Sequence, residues 1–343
     1  MESARKLSSE VMSRERTDRV KELALRFFGR VPKRVAFPGG TSRSAFVVDM
    51  GHGVFVFANR EDPDTAQLEG IVLKNLAATG RVPKLVGVHA GWVVQECLEG
   101  DRLPVSLDRL NDDVEREPLL VAAIESLLVI HDCAASEKLA HRVPKLGVAE
   151  NWLNRRVATA DEISRAVRIP FPDIDHERIV SKLDVRRDEF VKWDARPGNA
   201  LVQGAGVAWF DWEDCGRSKA LDDLVFLMLD EWNPISAQLE EKLLSRFLGD
   251  FCRSQSRDEG EEYFRLFGVT HCIIRLKSAL KLHSREGKWW DREYCLMNDK
   301  VGVTAEETSR LMDRIRRYSN GVAELKSLTD WTQEIEKKYE KSM

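Results

Sequence analysis

The chain has 343 residues, of which 43% are hydrophobic and 32% charged. That is long enough for two ordinary domains with buried cores, and too apolar for a disordered chain. Its net charge of −4, from 53 basic and 57 acidic residues, gives no electrostatic case for nucleic acid or a membrane surface as partner.

Six cysteines, at positions 97, 133, 215, 252, 272 and 295, include no C-x-x-C pair. Reduced thiols in the cytoplasm are the simplest account, and neither a disulfide framework nor a zinc site is expected. The polar, charged stretch from Met1 to Arg19 is unlike a secretory signal, and no apolar run is expected to span a membrane.

Val20, Leu23, Ala24, Phe27 and Phe28 have helical spacing and predict a helix from Arg14 to Phe28. Arg34 to Phe37, Ala45 to Val48 and Val54 to Ala58 read as strands. Gly39-Gly40-Thr41-Ser42 separates the first two, and Gly51-His52-Gly53 the second two. Asp64 to Ala78 predicts a helix, with Leu85 to Val88 and Trp92 to Gln95 as closing strands. Residues 1–98 are therefore expected to form a small antiparallel β lobe with one key helix. Residues 99–343 are expected to form a larger, mostly helical lobe, giving an α+β protein of two lobes. Its predicted helices are Pro118 to Ala135, Ala220 to Glu231, Ser236 to Ser254, Glu261 to His283, Thr304 to Tyr318 and Val322 to Tyr339.

Two stretches carry the chemistry. Asp194-Ala195-Arg196-Pro197-Gly198-Asn199 is followed, twelve residues past Asn199, by Asp211-Trp212-Glu213-Asp214-Cys215-Gly216. Between them two short strands flank a Gly-rich turn centred on Ala205, from which Asn199 and Asp211 are equidistant. Directly opposed residues in a hairpin stand about 5 Å apart at Cβ. An amide and a carboxylate that close suit a hard cation such as Mg2+. Asp194, on the loop before, stands where an acceptor for a hydroxyl proton is needed. Protein kinases use the same D-x-x-x-x-N spacing followed by a metal-binding Asp.

The wording between Lys192 and Val202 resembles the aminoglycoside phosphotransferase family and its small-molecule kinase relatives, which usually read H-G-D-x-x-P-G-N-x-L-V and then I-D-W-E-x-x-G. Phe210 to Gly216 is similar to the second half of that signature, and Asp223-Leu224 to the D-L that follows it. The resemblance covers roughly residues 35–230 and implies a protein kinase-like fold. It implies an ATP- and Mg2+-dependent transfer of the γ-phosphoryl group to a hydroxyl of a small molecule, which the acidic and aromatic candidate contacts named below suggest is cationic or sugar-like. Asp194 would be catalytic, Asn199 and Asp211 would hold the metal, and Gly39, Gly40 and Ser42 would lie over the phosphates. Backbone groups near Glu96 and Leu98 would meet the adenine.

The chain departs from the family in two places. The family's strand lysine falls on Ala58; Arg60, two residues on and on the same side of an extended strand, could replace it with Glu69 as partner. Both could equally be solvated charges. Lys192-Trp193 replaces the usual His-Gly. Arg196 either neutralises developing charge or pairs with an acidic neighbour, and Asp223 ties the catalytic loop down. Glu213, Asp214, Asp230, Glu231, Trp232, Trp289 and Trp290 are candidate acceptor contacts. The alternative to a kinase is a nucleotide-binding pseudokinase with a regulatory or scaffold role.

Overall fold

A computed structural model describes residues 2–37 and 44–339. The chain divides into two compact units, residues 1–100 with Ala208–Glu213, and Asp101–Val207 with Asp214–Met343.

The first unit is built on a five-stranded antiparallel sheet of β1 (Arg34–Ala36), β2 (Ala45–Asp49), β3 (Val54–Asn59), β4 (Leu85–His89) and β5 (Trp92–Glu96), in the order β1-β2-β3-β5-β4. Side chains alternate across such a sheet, so register decides the faces. Phe46, Phe57 and Val94 are cross-strand partners. They form one core with Val20, Leu23 and Ala24 of α1 (Glu2–Phe28). Each buried Val, Leu or Phe among them contributes about 1.5–3 kcal/mol. The paired Ala58 and Val93 belong to the other face. That face carries α2 (Pro63–Leu76), which buries Val72, Leu73 and Leu76. Gly70 lets α2 sit close to β4, because a Cβ there would run into Val88. Asp62 caps α2 by accepting from the Asp64 N–H at 3.0 Å, with Pro63 at the first helical position. Helix α1 starts twelve residues before the predicted Arg14. Its first half is polar, so apolar periodicity could not reveal it.

The second unit is mainly helical. In chain order it contains β6 (Asp101–Arg102), α3 (Leu103–Asp108), α4 (Asp113–Ser136), α5 (Trp152–Val157), α6 (Thr159–Val167), α7 (His176–Leu183), β7 (Glu189–Val191), β8 (Ala200–Gln203), β9 (Gly206–Trp209) and β10 (Gly216–Ser218). Helices α8 (Ala220–Met228), α9 (Ala237–Phe251), α10 (Arg257–Glu286), α11 (Arg292–Met297), α12 (Ala305–Ser319) and α13 (Leu328–Tyr339) follow. Strands β6, β8 and the start of β9 form a small sheet, and β10 pairs with β7.

Contrary to expectation, α4 is long and apolar enough to cross a membrane by length and composition. Leu120, Ala123, Ile124, Leu127, Ile130 and Ala134 are buried instead, and α4 packs against α9, α8 and β7 as a core helix. The hairpin turn is Gly204-Ala205, centred between these residues rather than on Ala205, with Gly204 in the left-handed region at φ 58°. Helix α8 ends at Met228 and not at Glu231, because the Asn233 side chain donates to the Leu227 and Met228 carbonyls (3.3 and 3.2 Å) and stops the ladder. A buried ion pair, Arg314 to Glu240 at 2.9 Å, joins α12 to α9. The same guanidinium donates to the backbone oxygens of Asp230 and Asn233.

Candidate active site

In the first unit the site is organised by Arg60, which follows β3 directly. Its Nε donates to Glu69 Oε2 at 2.7 Å and its Nη2 to Glu69 Oε1 at 3.0 Å. Arg60 is 6% exposed and Glu69 fully buried, so neither is a solvated surface charge. The pairing follows from register. Ala58 faces α2, Arg60 continues on that side, and Glu69 is a buried residue of α2. Nη1 then donates to Glu213 (2.7 Å) and Nη2 to Asp211 (3.0 Å). Burial would lower the Arg60 pKa, but the Glu69 hydrogen bond and charge, then Asp211 and Glu213, hold it above the ordinary value. In Asp211-Trp212-Glu213 the indole is fully buried and donates to the Trp209 carbonyl at 2.9 Å. That anchor leaves the flanking carboxylates on Arg60 with 39% and 40% side-chain exposure. Glu213 is therefore a partner of Arg60. Its place two residues from Asp211 was the signal available in sequence.

Glu96 ends β5, and its N–H donates to the Lys84 carbonyl at 2.9 Å. Cys97 N–H donates to Val54 at 3.1 Å. The half-buried Leu98 has no acceptor for its backbone N–H among the described residues. Gly39, Gly40, Thr41 and Ser42 lie outside the described residues.

In the second unit the Asp194 loop is held from below by Asp223. Its carboxylate accepts from the Lys192 and Trp193 backbone N–H groups, both at 2.8 Å, and lies 2.8 Å from His131 Nε2. His131 is a buried, hydrogen-bonded histidine. Trp193 and Asp194 have φ 54° and 34°, and in the first unit Asp211 has φ 60°. Non-glycine residues in this region carry strain, which the surrounding contacts must maintain. The Trp193 ring packs against Phe226, Phe267 and Trp152, with centroids 5.2–6.3 Å away. Its side chain thus fills an aromatic cluster.

Asn199 Nδ2 donates to the Asp194 carbonyl (2.9 Å) and to Asp194 Oδ2 (2.8 Å). Arg196 pairs with Asp194 through Nε to Oδ1 (2.7 Å) and Nη2 to Oδ2 (3.3 Å). Burial alone would raise the Asp194 pKa. The Arg196 charge and hydrogen bond, with Lys192 and Asn199, bring it down to about 2. Asp194 is therefore ionised at neutral pH. At Gly198 an added Cβ would run into Asp299 Oδ1, so the Asp299 side chain would have to shift to admit it. Nothing in the sequence marked Asp299 as a neighbour of this loop.

Several candidate acceptor contacts turn inward instead. Glu231 is fully buried and accepts from Arg275 through Nε at 2.8 Å and through Nη2. Asp230 is fully buried and accepts the Trp232 N–H at 2.9 Å. Trp232 donates to the Lys300 carbonyl and packs with Val105, Cys295, Leu296 and Trp290. Trp289 packs at a tilt against His283 and Tyr339. These residues serve as local caps and core plugs.

A model of the phosphotransferase enzyme family matches residues 33–263. The chain belongs to that family and is a kinase-like phosphotransferase. Solved structures share its fold at low identity. Choline kinase LicA from Streptococcus pneumoniae is 15% identical over 88% of this chain and 99% of its own, with a TM-score of 0.51. Amicoumacin kinase hAmiN, in complex with AMP-PNP, Ca2+ and Ami, is 14% identical over 84% and 88%, with a TM-score of 0.54. ADP-bound aminoglycoside phosphotransferase APH(2'')-Ib is 13% identical over 84% and 98%, with a TM-score of 0.51. No curated protein matches the chain.

Proposed function

We propose that this protein transfers the γ-phosphoryl group of ATP, with Mg2+, to a hydroxyl of a small molecule in the cytoplasm. The observation that carries the reading is the Arg60–Glu69 pair. It reproduces, two residues beyond the usual lysine position, the cation–carboxylate pair that kinases use to hold nucleotide phosphates.

The donor set fits the absent groups. Arg60, Glu69, Asp211 and Glu213 together carry two more negative charges than positive ones, the charge a divalent cation supplies. Asn199 and Asp211, the proposed ligands, offer the oxygen donors Mg2+ prefers. Among the described residues no group of three His, Cys, Asp or Glu is placed to hold a metal, so phosphate and water would complete its shell. The unpartnered Leu98 N–H suits an adenine acceptor, with Glu96 beside it. Gly39, Gly40 and Ser42 remain the proposed phosphate loop. Bound MgATP supplies the phosphoryl group and neutralises its developing charge.

This chain's own residues then position and polarise. Asp194 is ionised and accepts a hydrogen bond from the acceptor hydroxyl. A loose transition state needs orientation more than early proton removal, so a carboxylate of low pKa suffices. The acceptor oxygen bonds to phosphorus, the bond to the β-phosphate oxygen breaks, ADP leaves, and the hydroxyl proton passes to Asp194. Asp223 keeps the loop in place through its two backbone hydrogen bonds.

One observation favours a second reading, nucleotide binding without transfer. Arg60 makes four hydrogen bonds to carboxylates, which leaves one N–H for phosphate. ADP release across a library of hydroxylated compounds separates the two readings. Transfer predicts at least one acceptor, with turnover lowered more than about 100-fold in Asp194→Asn. Turnover indifferent to that change would refute the assigned role. MgATP binding with no acceptor would favour the pseudokinase.

A further inference from the structure

One polar side chain on the sheet face that carries α2 has no role so far. Gln95 is the residue before the end of β5. It pairs across the ladder with Val56, as Val93 pairs with Ala58, so by alternation these four side chains share that face. Arg60 continues the same side. Gln95 is 4% exposed. Its backbone stands in the sheet between β3 and β4. Its carboxamide, however, makes no hydrogen bond to any described residue, and the oxygen is closed to water. Ala58, Val93, and Val72 and Leu73 of α2 are apolar and offer it nothing. A buried amide without a partner keeps the full cost of leaving water, and most such groups in folded proteins are bonded. With no bond to hold it, this amide is also free to turn about its last, soft torsion and aim its oxygen outward.

The place of Gln95 in the chain says what its partner is. It stands one residue before Glu96 and three before Leu98, whose N–H has no acceptor among the described residues. That N–H is a fixed backbone donor. It selects a base with a lone pair on the ring nitrogen beside the 6-position, which adenine has and a 6-oxopurine, protonated there, lacks. Next to that lone pair adenine carries a donor, its 6-amino group. We propose that Gln95 is the residue that reads this group, its side-chain oxygen accepting one of the two amino N–H bonds. The inference rests on the phosphotransferase reading above, which puts the base at this end of β5. Leu98 then supplies a donor and Gln95 an acceptor, complementary to the acceptor and donor on the edge of adenine. A base without the amino group leaves the buried oxygen unpaired again. That penalty, more than the hydrogen bond itself, makes Gln95 a specificity-determining residue for adenine nucleotides.

The test is calorimetry on the full chain with two probes, MgATP and the Mg2+ complex of purine riboside triphosphate, which differs only in lacking the 6-amino group. Both are titrated into the native chain and into Gln95→Met, a swap of similar size on an apolar face. The native chain should bind the desamino nucleotide more weakly than ATP. That penalty should be about three- to tenfold larger in the native chain than in Gln95→Met. Urea unfolding without nucleotide is the second readout. Gln95→Met should be at least as stable as the native chain, because it removes an unanswered amide. An equal penalty in both chains would overturn the inference. So would a variant clearly less stable than the native chain, since the amide would then be answered within the fold. Either result leaves the phosphotransferase reading intact. No MgATP binding by the native chain would instead sink that reading and this inference together.

Discussion

Arg60 and Glu69 form a two-point ion pair, 2.7 and 3.0 Å long, with side chains 5% and 0% exposed. Removing one member of a buried pair strands the other charge, at a cost of about 3–5 kcal/mol. Arg60 keeps Asp211 and Glu213, both more than a third exposed and so worth less. Glu69→Ala should therefore cost about 3 kcal/mol in urea denaturation. The double variant Arg60→Met with Glu69→Leu should cost less than Glu69→Ala, since no buried charge is stranded and Asp211 and Glu213, which also lose Arg60, remain more than a third exposed to water. Equal losses would mean that the pair does not organise this region.

The close approach of Asp299 to Gly198 gives a second expectation. Gly198→Ala forces a Cβ onto Asp299 Oδ1, and overpacking of this kind costs about 1–3 kcal/mol. Asp299→Ala also removes the Arg102 pair, so the comparison is made in that background, where Gly198→Ala should cost much less than it does in the native chain. Thermal unfolding of the single and double variants measures it, and additive losses would argue against the contact.

Asp222 supplies a pH dependence. It accepts from the Ser218 and Tyr263 hydroxyls, yet full burial pushes its pKa from 3.8 to about 6. The folded state therefore holds the proton more tightly than the unfolded one. The stability this contributes is complete below pH about 4 and is lost as pH rises through about 6. A shift of about two units amounts to roughly 3 kcal/mol. Comparing wild type with Asp222→Asn by denaturation between pH 4 and 7 isolates the group. The wild type should decline more steeply, and parallel curves would contradict the assignment.

The sheet strands and the long helices were legible because their apolar residues recur with the right period. The helices at 152–183 were not, because each is only six to nine residues long and one buried position is Arg156. That arginine lies 3.8 Å above the Phe267 ring and donates to Thr270 at 2.7 Å. No hydropathy pattern marks such a residue as core. The same blindness hid Arg314 and Glu240, fully buried charges whose mutual pairing only the fold reveals. At the site, Asp194, Asn199 and Asp211 stood out because their order and spacing are chemical requirements. Glu231 and Trp232 misled because an inward acid and a core indole look, in sequence, the same as a binding surface.

The most direct test of the central claim is calorimetry of MgATP binding to the native chain and to Asp211→Asn. A metal-assisted nucleotide site predicts binding that requires Mg2+ and weakens by more than about 1 kcal/mol when the carboxylate becomes an amide. Binding indifferent to both Mg2+ and Asp211 would contradict it.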